Sequence, residues 1–341
     1  LPAVLEPRLG GPDIVADNAR AARAVAADLH PLDYVLDPET FDAAAAEEVL
    51  RLAAAGEQHD LVVRAALGLI SAAASHHRYQ EVVEASRRAL LVVDHPQLHA
   101  TLGCGLAEQG RLAEARTQFE IALARLDELD DASRARTLAD IAMQENLIDP
   151  VAARTHRTTA LALAEQVGDR AVQSYCKRQE AGWLFDDPVR ADQLYAEAVE
   201  LVRDLPDGTL RLTLARLERV MATLSPQTAE DALSELDEIL EFCLARRLDL
   251  MLVATQTRRS AALRMLGRWA DAVSAAEEGR RTAQRVGWPR GEVDAAASAS
   301  VARLDLSRAT PGGDDAELAT ALRTAEQALA LAEQIGWPVL R

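Results

Sequence analysis

Cys176 stands beside Lys177, the only lysine of the chain, and this is the one suggestive neighbour pair for nucleophilic chemistry; further candidates for attack or metal ligation are two more cysteines, Cys104 and Cys243, and scattered histidines. Nucleophilic catalysis needs a thiolate or alkoxide with a base in reach and donors aimed at the developing oxyanion. Adjacent residues on a helix do not face each other, so Cys176 and Lys177 do not form such a couple. His95 and His99 have i, i+4 spacing, with Cys104 beyond them, the arrangement a helical metal site would use. Pro96 puts His95 at or before the helix start, however, and His99 occupies a packing slot. His76 and His77 point about 100° apart on a helix and make a poor chelate. Neither G-x-x-x-x-G-K-[ST] nor G-x-G-x-x-G occurs, and Gly10-Gly11 and Gly312-Gly313 are turn signals, so this chain holds no phosphate-cradling loop of those kinds. The clusters Asp127-Glu128-Asp130-Asp131 and Asp186-Asp187 fall at helix ends and read as caps. No catalytic residue, metal or cofactor is expected, and the chain is read as a non-enzyme.

The elements that carry these residues follow from composition and periodicity. Hydrophobic residues make up 49% of the 341 residues but aromatic residues only 4%, so Ala, Leu and Val must fill the core, which favours closely packed helices. The formal charge of −17 repels phosphate backbones and argues against direct nucleic-acid binding. Every cation other than Lys177 is Arg, a coding bias that points to a bacterial source. The three cysteines lie far apart with no C-x-x-C pair and read as buried small hydrophobes in a reducing cytoplasm. No apolar run approaches the ~18 residues of a membrane span, and no signal peptide is visible. A cytoplasmic chain that does not engage the membrane is expected.

Internal repetition is the strongest signal. ALALAEQVGD at 160–169 returns as ALALAEQIGW at 328–337, and TAQRVGWPR at 282–290 puts Gly287 where Gly168 and Gly336 stand. Each glycine follows a helical apolar pattern, where a left-handed residue closes a helix. Weaker versions place Asp94, Asp130, Pro206 and Asp249 at that position, with steps of about 38 residues. Seven helix ends imply seven hairpins. The longer last step contains Ala309-Thr310-Pro311-Gly312-Gly313-Asp314-Asp315, a loop insertion.

Within a unit, Leu102, Gly103, Leu106, Gly110, Leu112, Ala115, Phe119, Ala122 and Leu123 resemble the tetratricopeptide repeat pattern. Gly110 ends the first helix, Ala115 and Ala122 let two helix axes approach to about 8–10 Å, and Phe119 fills the remaining space. His77, Tyr79, Val82, Ser86 and Ala89 repeat the order, as do Gly267, Trp269, Ala272, Ala276 and Gly279, with Trp269 expected in the core. In two further units the turn is Asp149-Pro150 and Asp187-Pro188, proline starting the second helix where its missing amide is harmless. The pattern departs from the common repeat in having His99 at an aromatic slot and longer units. The A-x-x-(Val/Ile)-Gly-(Asp/Trp) helix ends are similar to the helical-repeat region of MalT-like regulators of the LuxR family.

The resemblance implies an all-α fold, a right-handed α-α superhelix of about seven helical hairpins, with residues 1–56 as an N-terminal cap or incomplete repeat and 57–341 as the solenoid. Helices are expected over about 14–30, up to His30-Pro31, and over about 39–55, after a segment through Tyr34 and Asp37-Pro38-Glu39-Thr40. First helices of such hairpins line the concave groove, and by register Gln173, Lys177, Glu180, Arg258 and Arg264 project there as candidate ligand-binding residues. Arg forks bind carboxylates in bidentate fashion, so an acidic peptide or C-terminus is one conceivable ligand. The carboxylate clamp of the tetratricopeptide family is missing, since Ala100, Cys104 and Ala107 stand at its positions. Two functions follow: a scaffold that binds a protein or peptide, or the sensor and transmission arm of a larger transcription regulator with its ATPase and DNA-binding segments outside this chain, as a start at Leu1 without Met suggests. Homo-oligomerisation is left open.

Overall fold

The computed structural model describes residues 12–27, 41–75, 78–146, 148–184, 186–205, 208–310 and 313–335. All regular structure among them is helical. The helices are α1 (Pro12–Ala26), α2 (Ala43–Ala55), α3 (His59–Ser75), α4 (Tyr79–Leu90), α5 (Pro96–Glu108), α6 (Leu112–Leu123), α7 (Asp131–Glu145) and α8 (Pro150–Val167). They continue with α9 (Arg170–Ala181), α10 (Pro188–Val202), α11 (Gly208–Thr223), α12 (Ala229–Ala245), α13 (Asp249–Met265), α14 (Trp269–Val286), α15 (Pro289–Ala309) and α16 (Asp315–Gln334). From α3 onward they pair as seven hairpins. Two compact units are formed, Leu1–Cys176 and Lys177–Arg341, and each is described separately.

Helix ends follow local chemistry. Gly168 and Gly287 take φ of 75° and 66° and close α8 and α14, with amides returned to the last-turn carbonyls. Gly110 and Gly267, at φ 76° and 72°, do the same after α5 and α13. Asp149 and Asp187 cap α8 and α10 with prolines following, as the sequence dictates. Asp130 and Asp249, expected at the glycine position, differ: Asp130 is the N-cap of α7, accepting from the Ser133 amide at 2.7 Å, and Asp249 opens α13. Arg247 supplies the left-handed turn there instead, at φ 51°. α1 starts at Pro12, ahead of the expected 14, and α2 at Ala43; residues 28–30 and 39–40 of the two expected ranges lie outside the described residues. Gly10-Gly11, His30-Pro31, Tyr34, Asp37-Pro38-Glu39-Thr40, His76-His77, Pro206, Pro311-Gly312 and Gly336 lie outside the described residues.

In the first unit, α1 and α2 pack on α3 through Ala22, Val49, Ala53, Val62 and Ala66. Two glycines inside α5, each costing about 1 kcal/mol of helix propensity, are explained by their neighbours. A Cβ on Gly103 would fall inside the ring of Phe119 on α6, and one on Gly105 would meet Val82 at 2.9 Å and Val83 at 3.0 Å on α4. Phe119 is fully buried beside Ala115 and Ala122. In the second unit, Gly279 of α14 lets α13 and α15 close in around it, with Gln256 and Ala295 as neighbours. Trp269 is only half-buried: it stands at the exposed start of α14, lying over Gly267, and not in the core. Cys176 and Cys243 are buried and Cys104 half-buried, and none of the three forms a disulfide among the described residues.

Contacts between helices that are not consecutive identify one face of each unit. α1 meets α3, α3 meets α5 and α5 meets α7 in the first unit, and α11 meets α13 and α13 meets α15 in the second. Odd-numbered helices thus form one layer within each unit, here called its inner layer.

Candidate functional site

In the first unit, the inner layer places Cys104 and Glu108 of α5 beside Asp140 and Gln144 of α7. Gln144 Nε2 donates to Glu108 Oε1 at 2.8 Å, and the Cys104 thiol donates to the Asp140 backbone carbonyl at 3.7 Å. Burial pushes the Cys104 thiol up to about 12 and the Asp140 carboxyl well above its ordinary range. A thiol so hard to ionise is a poor nucleophile. His95 and His99 are likewise in structural use. The His95 ring accepts the Gln97 amide at the start of α5, and the His99 ring nitrogens bridge Gln118 at 2.8 Å and Asp94 at 2.9 Å. No group of His, Cys, Asp and Glu among the described residues forms a metal-binding cluster.

The second unit concentrates charge on its inner layer, one residue from each of four consecutive first helices. Arg178 of α9 donates from Nη1 to Oε1 of Glu218 on α11 at 3.0 Å, the arginine itself nearly inaccessible. Arg258 of α13 and Asp294 of α15 continue the row. Tyr195 from α10 is buried beside it, and desolvation together with the Glu218 charge holds its hydroxyl above the ordinary phenol range against Arg178 and Arg258. Asp294 presents open surface, yet desolvation pushes its carboxyl up, opposed by Arg290 and Arg258.

Arg258 has the least satisfied guanidinium of the row. Its Nη1 donates to the Ala254 carbonyl of its own helix at 3.2 Å, its Nε is buried without an acceptor, and it forms no ion pair among the described residues. Desolvation pulls its ionisation downward, with Glu218, Asp294 and Tyr195 opposing.

The other residues singled out by spacing are placed as follows. Gln173 Nε2 donates to the Ala164 carbonyl in the last turn of α8 at 3.0 Å. Lys177 is held by Glu197 of α10 at 2.7 Å, lowering that carboxyl through the hydrogen bond. Arg264 is held by Asp305 of α15 at 2.7 Å. Glu180 is half-buried on α9. Arg258 is thus brought beside Arg178, Glu218, Tyr195 and Asp294, residues that spacing did not single out.

No protein-family model matches the chain, and neither does any curated protein. Among solved structures, the crystal structure of a STAND (Signal Transduction ATPase with Numerous Domains) protein with a tetratricopeptide repeat sensor, from Pyrococcus horikoshii, matches with a TM-score of 0.64 at 13% identity. The match covers 97% of this chain and 48% of that one, so the chain spans about half the length of that protein. The chain has a tetratricopeptide-like helical-repeat fold. In tetratricopeptide-like terms α3, α5, α7, α9, α11, α13 and α15 are the first helices, and the charged row of the second unit lies on them. None of the described helices is long and apolar enough to cross a membrane.

Proposed function

We propose that this chain is a non-catalytic interaction module that binds a protein or peptide segment along its first helices, with residues 57–341 as the binding array and 1–56 as its cap. The observation that carries this reading is the charged row Arg178, Glu218, Arg258 and Asp294 on the first helices of a tetratricopeptide-like fold, in which Arg258 forms no ion pair among the described residues. Structural roles for His95, His99 and Cys104 support a non-catalytic assignment, since these three side chains are committed to a cap, a bridge and a packed thiol. The wide separation of Cys104, Cys176 and Cys243 along the chain suits a reducing, cytoplasmic setting.

Likeness to the STAND protein favours a second, compatible reading: the module is the sensor arm of a larger signal-transduction regulator, its ATPase and DNA-binding segments lying elsewhere in the polypeptide. Recovery of the natural protein from its host, with measurement of intact mass and of what co-purifies, tests both. A stoichiometric protein partner is expected, and a mass well above 36.8 kDa if the chain is an arm of a regulator. Recovery with no partner under any condition would refute the interaction module.

A further inference from the structure

We infer that α16 is a self-association face, on which two copies of this chain pair their α16 helices antiparallel about a two-fold axis. α16 packs on α15, burying Ala321, Thr324, Ala328 and Ala332, and Arg303 of α15 fastens it through Glu317 at 2.6 Å. About 100° around the same helix, Leu318, Leu322, Ala325 and Leu329 form an apolar stripe. It is open to solvent, the leucines being 45%, 61% and 44% exposed. The internal repeat shows how such a leucine is covered elsewhere. ALALAEQVGD at 160–169 and ALALAEQIGW at 328–337 align Leu161 with Leu329. Leu161 packs against the cluster that holds Val172 and Tyr175 of the following helix α9, whereas Leu329 has no such cover among the described residues. Single surface leucines need no explanation, but four apolar residues in register along one helix make a face that gains by burial.

Two features favour a second copy as the occupant. The spacings along the stripe are 4, 3 and 4 residues and read the same in either direction. A two-fold axis between Arg323 and Thr324 therefore sets Leu318 opposite Leu329 of the second copy and Leu322 opposite its small Ala325, an isologous fit. Charge agrees with this pairing. Arg323 and Glu326 border the stripe on the side away from α15, and neither forms an ion pair among the described residues; Arg323 donates only to Thr320 Oγ1, at 3.0 Å. The same axis brings Arg323 of each copy within reach of Glu326 of the other. A helix of 20 residues is about 30 Å long and offers less than the roughly 800 Å² per partner of a standard interface, so the dimer is a reversible one.

The test is sedimentation of the full chain over a concentration series at about 0.15 M salt, where repulsion between two copies of charge −17 is screened beyond about 8 Å. The wild type should pass from monomer to dimer. Leu322→Glu, shown folded by circular dichroism, should weaken the dimer at least about tenfold. Arg323→Glu and Glu326→Arg should each weaken it, and the two together should restore the wild-type constant, because the reversed pair re-forms across the axis. A monomer at every concentration up to about 1 mM overturns the proposal and leaves the stripe to a different protein. A dimer that Leu322→Glu leaves intact overturns it too. Single charge reversals without effect, or a double reversal that does not recover their loss, overturn the antiparallel pairing; these and the wild type decide even if Leu322→Glu fails to fold.

Discussion

Arg178 Nη1 lies 3.0 Å from Glu218 Oε1, joining α9 to α11, and the Glu218 charge also acts on Arg258. Glu218→Gln should therefore act at two places. It weakens a partly buried ion pair, costing about 1–3 kcal/mol in urea unfolding, and it removes a charge that holds the Tyr195 hydroxyl above its ordinary range. Tyrosine ionisation followed by difference absorbance should move to lower pH for that residue. An unchanged titration would separate Tyr195 from the row.

Gly103 and Phe119 set the spacing of α5 and α6. Gly103→Ala forces a methyl group into the Phe119 ring and should cost about 1–3 kcal/mol, while Phe119→Ala should cost about 3–5 kcal/mol. Because the two residues share one space, the double variant should lose less than the sum of the singles. Urea unfolding of all three variants checks this; strict additivity would place the two residues apart.

Trp269 gives a contrasting case. Half-buried at the start of α14, it should cost only about 1–2 kcal/mol on truncation to alanine, well below Phe119→Ala. Chemical unfolding on the same scale decides, and a loss as large as that at Phe119 would put the indole in the core.

Asp140 yields a pH prediction. Desolvation raises its carboxyl pKa in the folded state above the unfolded value, so the folded state holds the proton more tightly. Its contribution is therefore most favourable below the ordinary carboxylate range and is lost as pH rises from there through the raised folded value. Asp140→Asn should therefore flatten the fall of stability from acid to neutral pH. Melting curves of both proteins across that range check the sign; a variant whose stability falls with rising pH as steeply as the wild type's would contradict it.

How far the sequence reaches can be argued from particular residues. Gly168 and Gly287 were legible as helix ends because a left-handed turn favours glycine, and Asp149-Pro150 and Asp187-Pro188 as helix starts because cap and missing amide coincide there. Arg247 was not legible, since a non-glycine at positive φ is dictated by the surrounding fold and not by its own preference. The same limit applies to side-chain partners. Lys177 finds Glu197 and Arg264 finds Asp305 across helices 20 and 41 residues away, and spacing within one helix carries no trace of such pairs. Glu218 and Asp294 escaped notice for that reason, although a charged residue on each of four consecutive first helices was a signal that could have found them.

The central claim is that ligands are read from the first helices. The most direct measurement is photo-crosslinking in the native host, with a benzophenone amino acid placed at Asp294 on α15 or, in a separate variant, at the exposed Leu244 on α12. The account predicts a defined protein or peptide adduct from position 294 and none from 244. An adduct from 244 alone would place the binding face on the second helices and contradict it.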